Sequence, residues 1–240
     1  MTDLSALKAA NAARWQRART TRAFAPVAKY LVAADARARY QAVEAKTGVP
    51  WFFIAVVHQR EAGQRWDRQL GQGDPLYEVS RHDPKGRGPF KTWEDGAVDA
   101  LEHCPPFAAR NKDWSIGGLL TMLEQYNGLG YFFKGKTSPY LWSGTSEYIS
   151  GKFVADHVYN PNVVDAQLGC AGLLLAMATL DKSINLGTRQ LPPNVVLDGQ
   201  IAAKPTAPAV SATPSITNPS KGSIGAWIAS LLAAIFKRKT

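Results

Sequence analysis

The sequence predicts a mainly α fold: a helical domain with a small β-hairpin lobe, followed by a linker and a C-terminal amphipathic helix. Three observations predict it. Apolar residues recur at helical spacing through most of the first 180 residues. That pattern breaks once, in a Gly- and Pro-rich stretch over residues 63–90. After residue 188 the composition shifts to Pro, Ala, Ser and Thr, and periodicity is lost until residue 222. The 240 residues are 45% hydrophobic, enough to bury a sizeable core in one or two domains.

Residues 3–46 read as helical, because Ala, Leu, Arg and Lys dominate and Asp3 or Ser5 can cap the start. Pro26 begins a second helix that places Val27, Tyr30, Leu31, Ala34 and Ala38 on one face and runs to Thr47-Gly48. Pro50 then opens a third, whose block Trp51–Val57 is apolar nearly all round and is therefore predicted to be buried. It ends in His58-Gln59-Arg60-Glu61-Ala62-Gly63. The lobe follows, with Leu76–Ser80 as its short strand candidate before the turn Asp83-Pro84-Lys85-Gly86. Helices are predicted again at 92–102, with Thr92 as cap, and at Ser115–Gln125. Tyr126-Asn127-Gly128-Leu129-Gly130-Tyr131 interrupts the second of these. Pro139–Trp142 and Tyr148–Phe153 read as aromatic-rich and irregular, and Val163–Leu180 as a last apolar helix.

The net charge of +9 is unevenly placed. Residues 1–40 carry eight Lys/Arg against two Asp, and residues 189–240 carry six Lys/Arg against one Asp. Residues 41–188 carry fourteen Lys/Arg against sixteen Asp/Glu. The centre is thus not a polyanion-binding surface, which argues against a nucleic-acid partner. Cys104 and Cys170 offer no metal spacing and are expected to be reduced and buried, with a disulfide as the alternative after export. The first residues lack the apolar core of a secretory signal, so synthesis in the cytoplasm is expected.

Glu61 is the leading chemical candidate. A lone carboxylate at the end of a buried helix is costly to ionise. Its pKa should rise, and a raised carboxyl can donate a proton near neutral pH. The competing reading is a solvated Glu on a last helical turn. His58 and Glu61 stand one turn apart with His82 not far along the chain, but the second His of a zinc-binding HExxH is absent, so no cofactor is expected. His58 reads better as a buried, hydrogen-bonded helix residue beside Glu61. In the lobe, Gln72 and Asp74 lie in the loop Gln69–Leu76. Asn127, Tyr126 and Tyr131 supply the donors and acceptors that a polysaccharide site uses, although Tyr-Asn-Gly could equally be a helix C-cap.

The order of these segments resembles the lysozyme superfamily, specifically phage-type endolysins related to goose-type lysozymes and soluble lytic transglycosylases. The resemblance spans about Val49–Leu180. It is carried by His58–Gly63, Gly71–Leu76, Gly86-Arg87-Gly88-Pro89-Phe90 and Tyr126-Asn127-Gly128. It implies a lysozyme-like fold, the β-1,4-linked glycan of peptidoglycan as substrate, and Glu61 as proton donor. Transglycosylases of the group carry Ser after the catalytic Glu, where this chain has Ala62, and a Gly-Leu-Met-Gln string that this chain lacks. An inverting hydrolase also needs a second carboxylate to activate water, with room for that water between the two. Asp74 is the first candidate and Asp83 the second. The sugar-contacting set is His58, Gln72, Tyr126, Asn127, Tyr131 and Tyr148.

The tail carries Ile224, Trp227, Ile228, Leu231, Leu232 and Ile235 on one helical stripe, followed by Lys237-Arg238-Lys239. Its charge-free run, Gly222–Phe236, would be about 22 Å long as a helix, short of a membrane core of about 30 Å. An interfacial helix on an anionic membrane or outer-membrane surface fits better. The expected organisation is therefore a catalytic domain over 1–188, a linker over 189–221 and a cationic amphipathic helix over 222–240. The expected protein is a monomeric, bacteriolytic peptidoglycan hydrolase that acts on the cell wall in the periplasm of a Gram-negative host. The alternatives are a lytic transglycosylase giving anhydro products, and a non-catalytic wall-binding module with a membrane-disrupting tail.

Overall fold

Nine α-helices, one 3₁₀ turn (Ala108–Arg110) and one short hairpin make up the regular structure of the residues described by the computed structural model, which are 2–155, 157–187 and 189. The mainly α class is as the periodicity predicts. The linker and tail, apart from Arg189, lie outside the described residues. Among the described residues no helix is long and apolar enough to cross a membrane.

Helix α1 (Ser5–Arg17) packs on α6 (Ile116–Tyr126), and its first turn is fixed by the Ser5 N–H donating to Asp3. Helix α2 (Ala25–Leu31) packs on α9 (Cys170–Leu180). Helix α3 (Ala34–Thr47) lies against both α4 (Trp51–Ala62) and α5 (Trp93–Glu102). The hub is α4, which touches α2, α3, α6 and α9. Its side chains from Phe53 to Val57 are fully buried, as an all-round apolar helix requires. Each such large side chain stabilises the fold by about 1.5–3 kcal/mol through burial. Thr92 and Ser115 cap α5 and α6, their hydroxyls accepting from the Asp95 and Gly118 N–H groups. Two single-turn helices follow, α7 (Gly130–Phe133) and α8 (Pro139–Trp142). Cys104 and Cys170 are free and buried.

Three boundaries differ from the sequence reading, each for a local reason. Residues 63–90 contain no strand, only an isolated bridge between Arg68 and Pro75. Several backbone groups there are taken by side chains: Gln69 donates to the Pro75 and Glu78 carbonyls, and Asp74 accepts from the Arg81 and His82 N–H groups. The hairpin lies elsewhere, as antiparallel β1 (Lys152–Ala155) and β2 (Val158–Asn160), with Phe153 opposite Tyr159.

The last helix begins at Cys170 rather than Val163. Arg22 binds the carbonyls of Asp165, Ala166 and Gln167, and the Tyr148 hydroxyl accepts the Asp165 N–H, so these groups serve no helix. The helix expected from Pro26 to Thr47 is broken at Val32-Ala33, where Ala33 turns extended. Just before the break, the Tyr30 carbonyl accepts from Gln64 at 3.0 Å.

Candidate functional site

Helix α4 delivers Glu61 in its last turn, and Gly63 stops the helix in the left-handed conformation at φ 61°. The Gly63 N–H then bonds the Gln59 carbonyl at 3.1 Å, and the Gln64 N–H bonds that of His58 at 3.2 Å. Glu61 is half-buried. One of its carboxylate oxygens accepts the Tyr140 hydroxyl at 3.0 Å. Burial pushes its carboxyl up to about 7, although the Tyr140 hydrogen bond and the Arg60 charge pull the other way. The carboxyl is therefore poised to be protonated near neutral pH and to release that proton when a leaving oxygen demands it.

Arg60, one residue earlier, points into the protein. Its guanidinium pairs with Asp165 at 2.9 Å, donates to the Leu168 carbonyl, and lies 4.8 Å from the centre of the Tyr140 ring. Lys152 reaches the other Asp165 oxygen at 2.9 Å. Burial alone would push the Asp165 carboxyl up, but Arg60 and Lys152 together hold it below the usual carboxylate range. This triad joins α4, β1 and the segment before α9. It also braces Tyr140, and through Tyr140 the proton on Glu61. Neither Arg60, Asp165 nor Tyr140 stood out in the sequence. Aspartate and arginine 105 positions apart carry no local signal, and Tyr140 lies in a stretch that reads as aromatic-rich and irregular.

The Gly-rich lobe closes against Glu61 from the other side. Gly73 has φ 71°, and a methyl group there would lie 2.8 Å from the Glu61 carbonyl oxygen, so only glycine lets the lobe approach this closely. Asp74 follows directly. It is buried, with one oxygen accepting from the Arg81 and His82 N–H groups at 2.8 and 3.0 Å and the other 2.6 Å from His82 Nδ1. Burial would push Asp74 up, but the contacts from His82 and Arg81 outweigh it and hold the carboxyl below the usual range. Asp74 is thus an ionised anchor for the loop, with little freedom to meet water itself. Asp83 sits half-buried in the turn that the Ser80 hydroxyl closes by donating to the Pro84 carbonyl.

The remaining candidates are all buried, and they divide by whether their polar atoms are taken. Tyr126 is buried, and its hydroxyl has no hydrogen-bond partner among the described residues. Its pKa is raised well above the usual tyrosine value by burial and, next, by the negative charge of Glu61, which places it in the Glu61 neighbourhood. Asn127 follows as the C-cap of α6.

The other four have their polar atoms taken. His58 is fully buried, with Nδ1 3.0 Å from the Tyr40 hydroxyl, Nε2 3.0 Å from the Arg65 carbonyl, and its ring against Trp66 and Trp93. Burial pushes its pKa down to about 4. With both nitrogens taken it is a structural residue, not a sugar contact. Gln72 is buried and donates to Gln69. The Tyr131 hydroxyl accepts the Phe153 N–H at 3.0 Å, which pins the hairpin. The Tyr148 hydroxyl is occupied by the Gly151 carbonyl and the Asp165 N–H. These three support the walls of the site rather than offering free polar atoms. Among the described residues, no group of three or more His, Cys, Asp and Glu side chains could hold a metal ion.

No protein-family model, curated protein or solved structure matches this chain. The functional reading therefore stands on the site itself.

Proposed function

We propose that the protein is a peptidoglycan hydrolase of lysozyme-like architecture, cleaving the β-1,4 glycan strand with Glu61 as general acid. The observation that carries this reading is a carboxyl raised to about 7 by burial, on a partly exposed residue at a helix end, and held by the Tyr140 hydroxyl. A glycosidic oxygen is a poor leaving group until protonated, and a proton donor with a pKa near the working pH serves that step best. Tyr126 and Asn127, both buried at the end of α6, back the site in this reading rather than presenting exposed sugar contacts. Glu61 protonates the departing oxygen as the anomeric carbon becomes electron-poor, and water completes the cleavage.

The charge layout supports a second element. The tail over 222–240 combines an apolar stripe with a Lys-Arg-Lys end, which suits an anionic membrane surface in the same lytic process.

The test is mass spectrometry of soluble fragments released from purified peptidoglycan by the full chain. Fragments with new reducing sugar ends support the hydrolase. Anhydro ends would replace it with a transglycosylase. Release of peptides alone would overturn the role of Glu61.

A further inference from the structure

Asp74, the first candidate for activating water, is closed off. The Asp74 side chain is 7% exposed, whereas that of His82, bonded to it at 2.6 Å, is 45% exposed. An ionised carboxylate that accepts from one imidazole nitrogen fixes the tautomer, leaves the lone pair on the other nitrogen, and stabilises the imidazolium once a proton arrives. The lobe that carries this pair is seated on the Glu61 carbonyl through Gly73, next to Asp74 in the chain. Asp74 also accepts the backbone N–H groups of Arg81 and His82, so the loop is built around its carboxylate.

We propose that His82, oriented by Asp74, is the base that activates water in glycan hydrolysis, with Asp74 as a positioning residue. This rests on the reading of Glu61 as the acid. His82 Nε2 takes a proton from water as its oxygen bonds the anomeric carbon. The bond from that carbon to the leaving oxygen breaks, and Glu61 protonates the leaving oxygen. One water is consumed, two hydroxyl-ended fragments form, and the His82 proton returns to Glu61 through solvent. The charged group in contact with the imidazole is Asp74, and Arg81, paired with Glu78 at 3.2 Å, and Asp83 flank His82 in the chain.

The experiment uses the full chain on purified peptidoglycan. His82→Gln, whose amide can still donate to Asp74, should lower kcat by about 10²-fold or more with KM and thermal midpoint little changed. Imidazole added to His82→Ala should restore at least tenfold of the lost rate. Asp74→Asn should lower kcat with His82 in place. A His82→Gln rate within threefold of wild type overturns the proposal while leaving Glu61 as the acid. So does exclusively anhydro product from the wild-type chain, because that route needs no activated water. Absence of any glycan fragment from wild type sinks the Glu61 reading as well, and is thereby distinguishable.

Discussion

Two carboxyls among the described residues are pushed up to about 7, both mainly by burial, yet their surroundings differ. Glu61 is half-buried, bonded to a tyrosine hydroxyl, and backed by the lobe and by the Arg60–Asp165 pair. Glu124 sits in the α1–α6 interface with 2% exposure, and Asn11 reaches it only at 3.4 Å. Nearby, the Thr121 hydroxyl in the turn before it and the Asn11 carbonyl oxygen lack partners among the described residues. The same shift thus arises at a partly exposed helix end and in a closed interface. A raised carboxyl marks catalysis only where a substrate can reach it. Asp165 completes the contrast: it is as buried as Glu124, but two cations keep it charged.

The largest expected effect separates the two glutamates by activity. Glu61→Gln should reduce glycan cleavage by about 10²–10⁴-fold, the usual contribution of a general acid, with the fold intact. Glu124→Gln should leave the rate within about twofold of wild type; rates on purified peptidoglycan check both. Next comes the ion pair. Arg60→Met leaves Asp165 buried with Lys152 as its remaining cation, and should cost about 3–5 kcal/mol, read from denaturant unfolding.

Stability against pH sharpens the comparison further. A glutamate whose folded pKa is raised from 4.5 to about 7 favours the folded state when protonated. The contribution is fully present below pH 4.5 and is lost as pH rises to about 7. At 1.36 kcal/mol per pKa unit, Glu124 should make the protein up to about 3 kcal/mol less stable at pH 8 than at pH 4.5. Glu124→Gln should remove its share of that slope, which unfolding measured at the two pH values would show.

The smallest effect belongs to Tyr140→Phe. The hydroxyl lowers the Glu61 pKa, so its loss should move the alkaline limb of the rate profile upward from about 7, with less than a tenfold change in maximal rate. A downward shift would contradict the role given to this hydrogen bond.

Much of the fold was legible because helices announce themselves locally. The apolar block of α4, the Thr92 and Ser115 caps and the Gly63 stop all act within a few residues of where they stand. The misplaced pieces were set by distant side chains. Arg22 reaches across 143 positions to hold Asp165 out of the last helix, and Tyr131 pins a hairpin whose own residues alternate weakly. Leu76–Ser80 read as a strand, but Gln69 and Asp74 claim the backbone around it. The site shows the same division. Glu61 was found from its place at the end of an apolar helix, and its raised pKa follows from that place. Tyr140, Arg60 and Asp165 were invisible because their meeting depends on tertiary packing. His58 was double-sided: its position beside Glu61 suggested a contact, while the apolar block around it predicted the buried residue found.

The most direct measurement compares the two raised glutamates on one substrate. Purified peptidoglycan is digested by wild type, Glu61→Gln and Glu124→Gln, all verified as folded, and new glycan ends are counted. The account predicts abundant ends from wild type and Glu124→Gln and almost none from Glu61→Gln. Equal release by Glu61→Gln and wild type would contradict it.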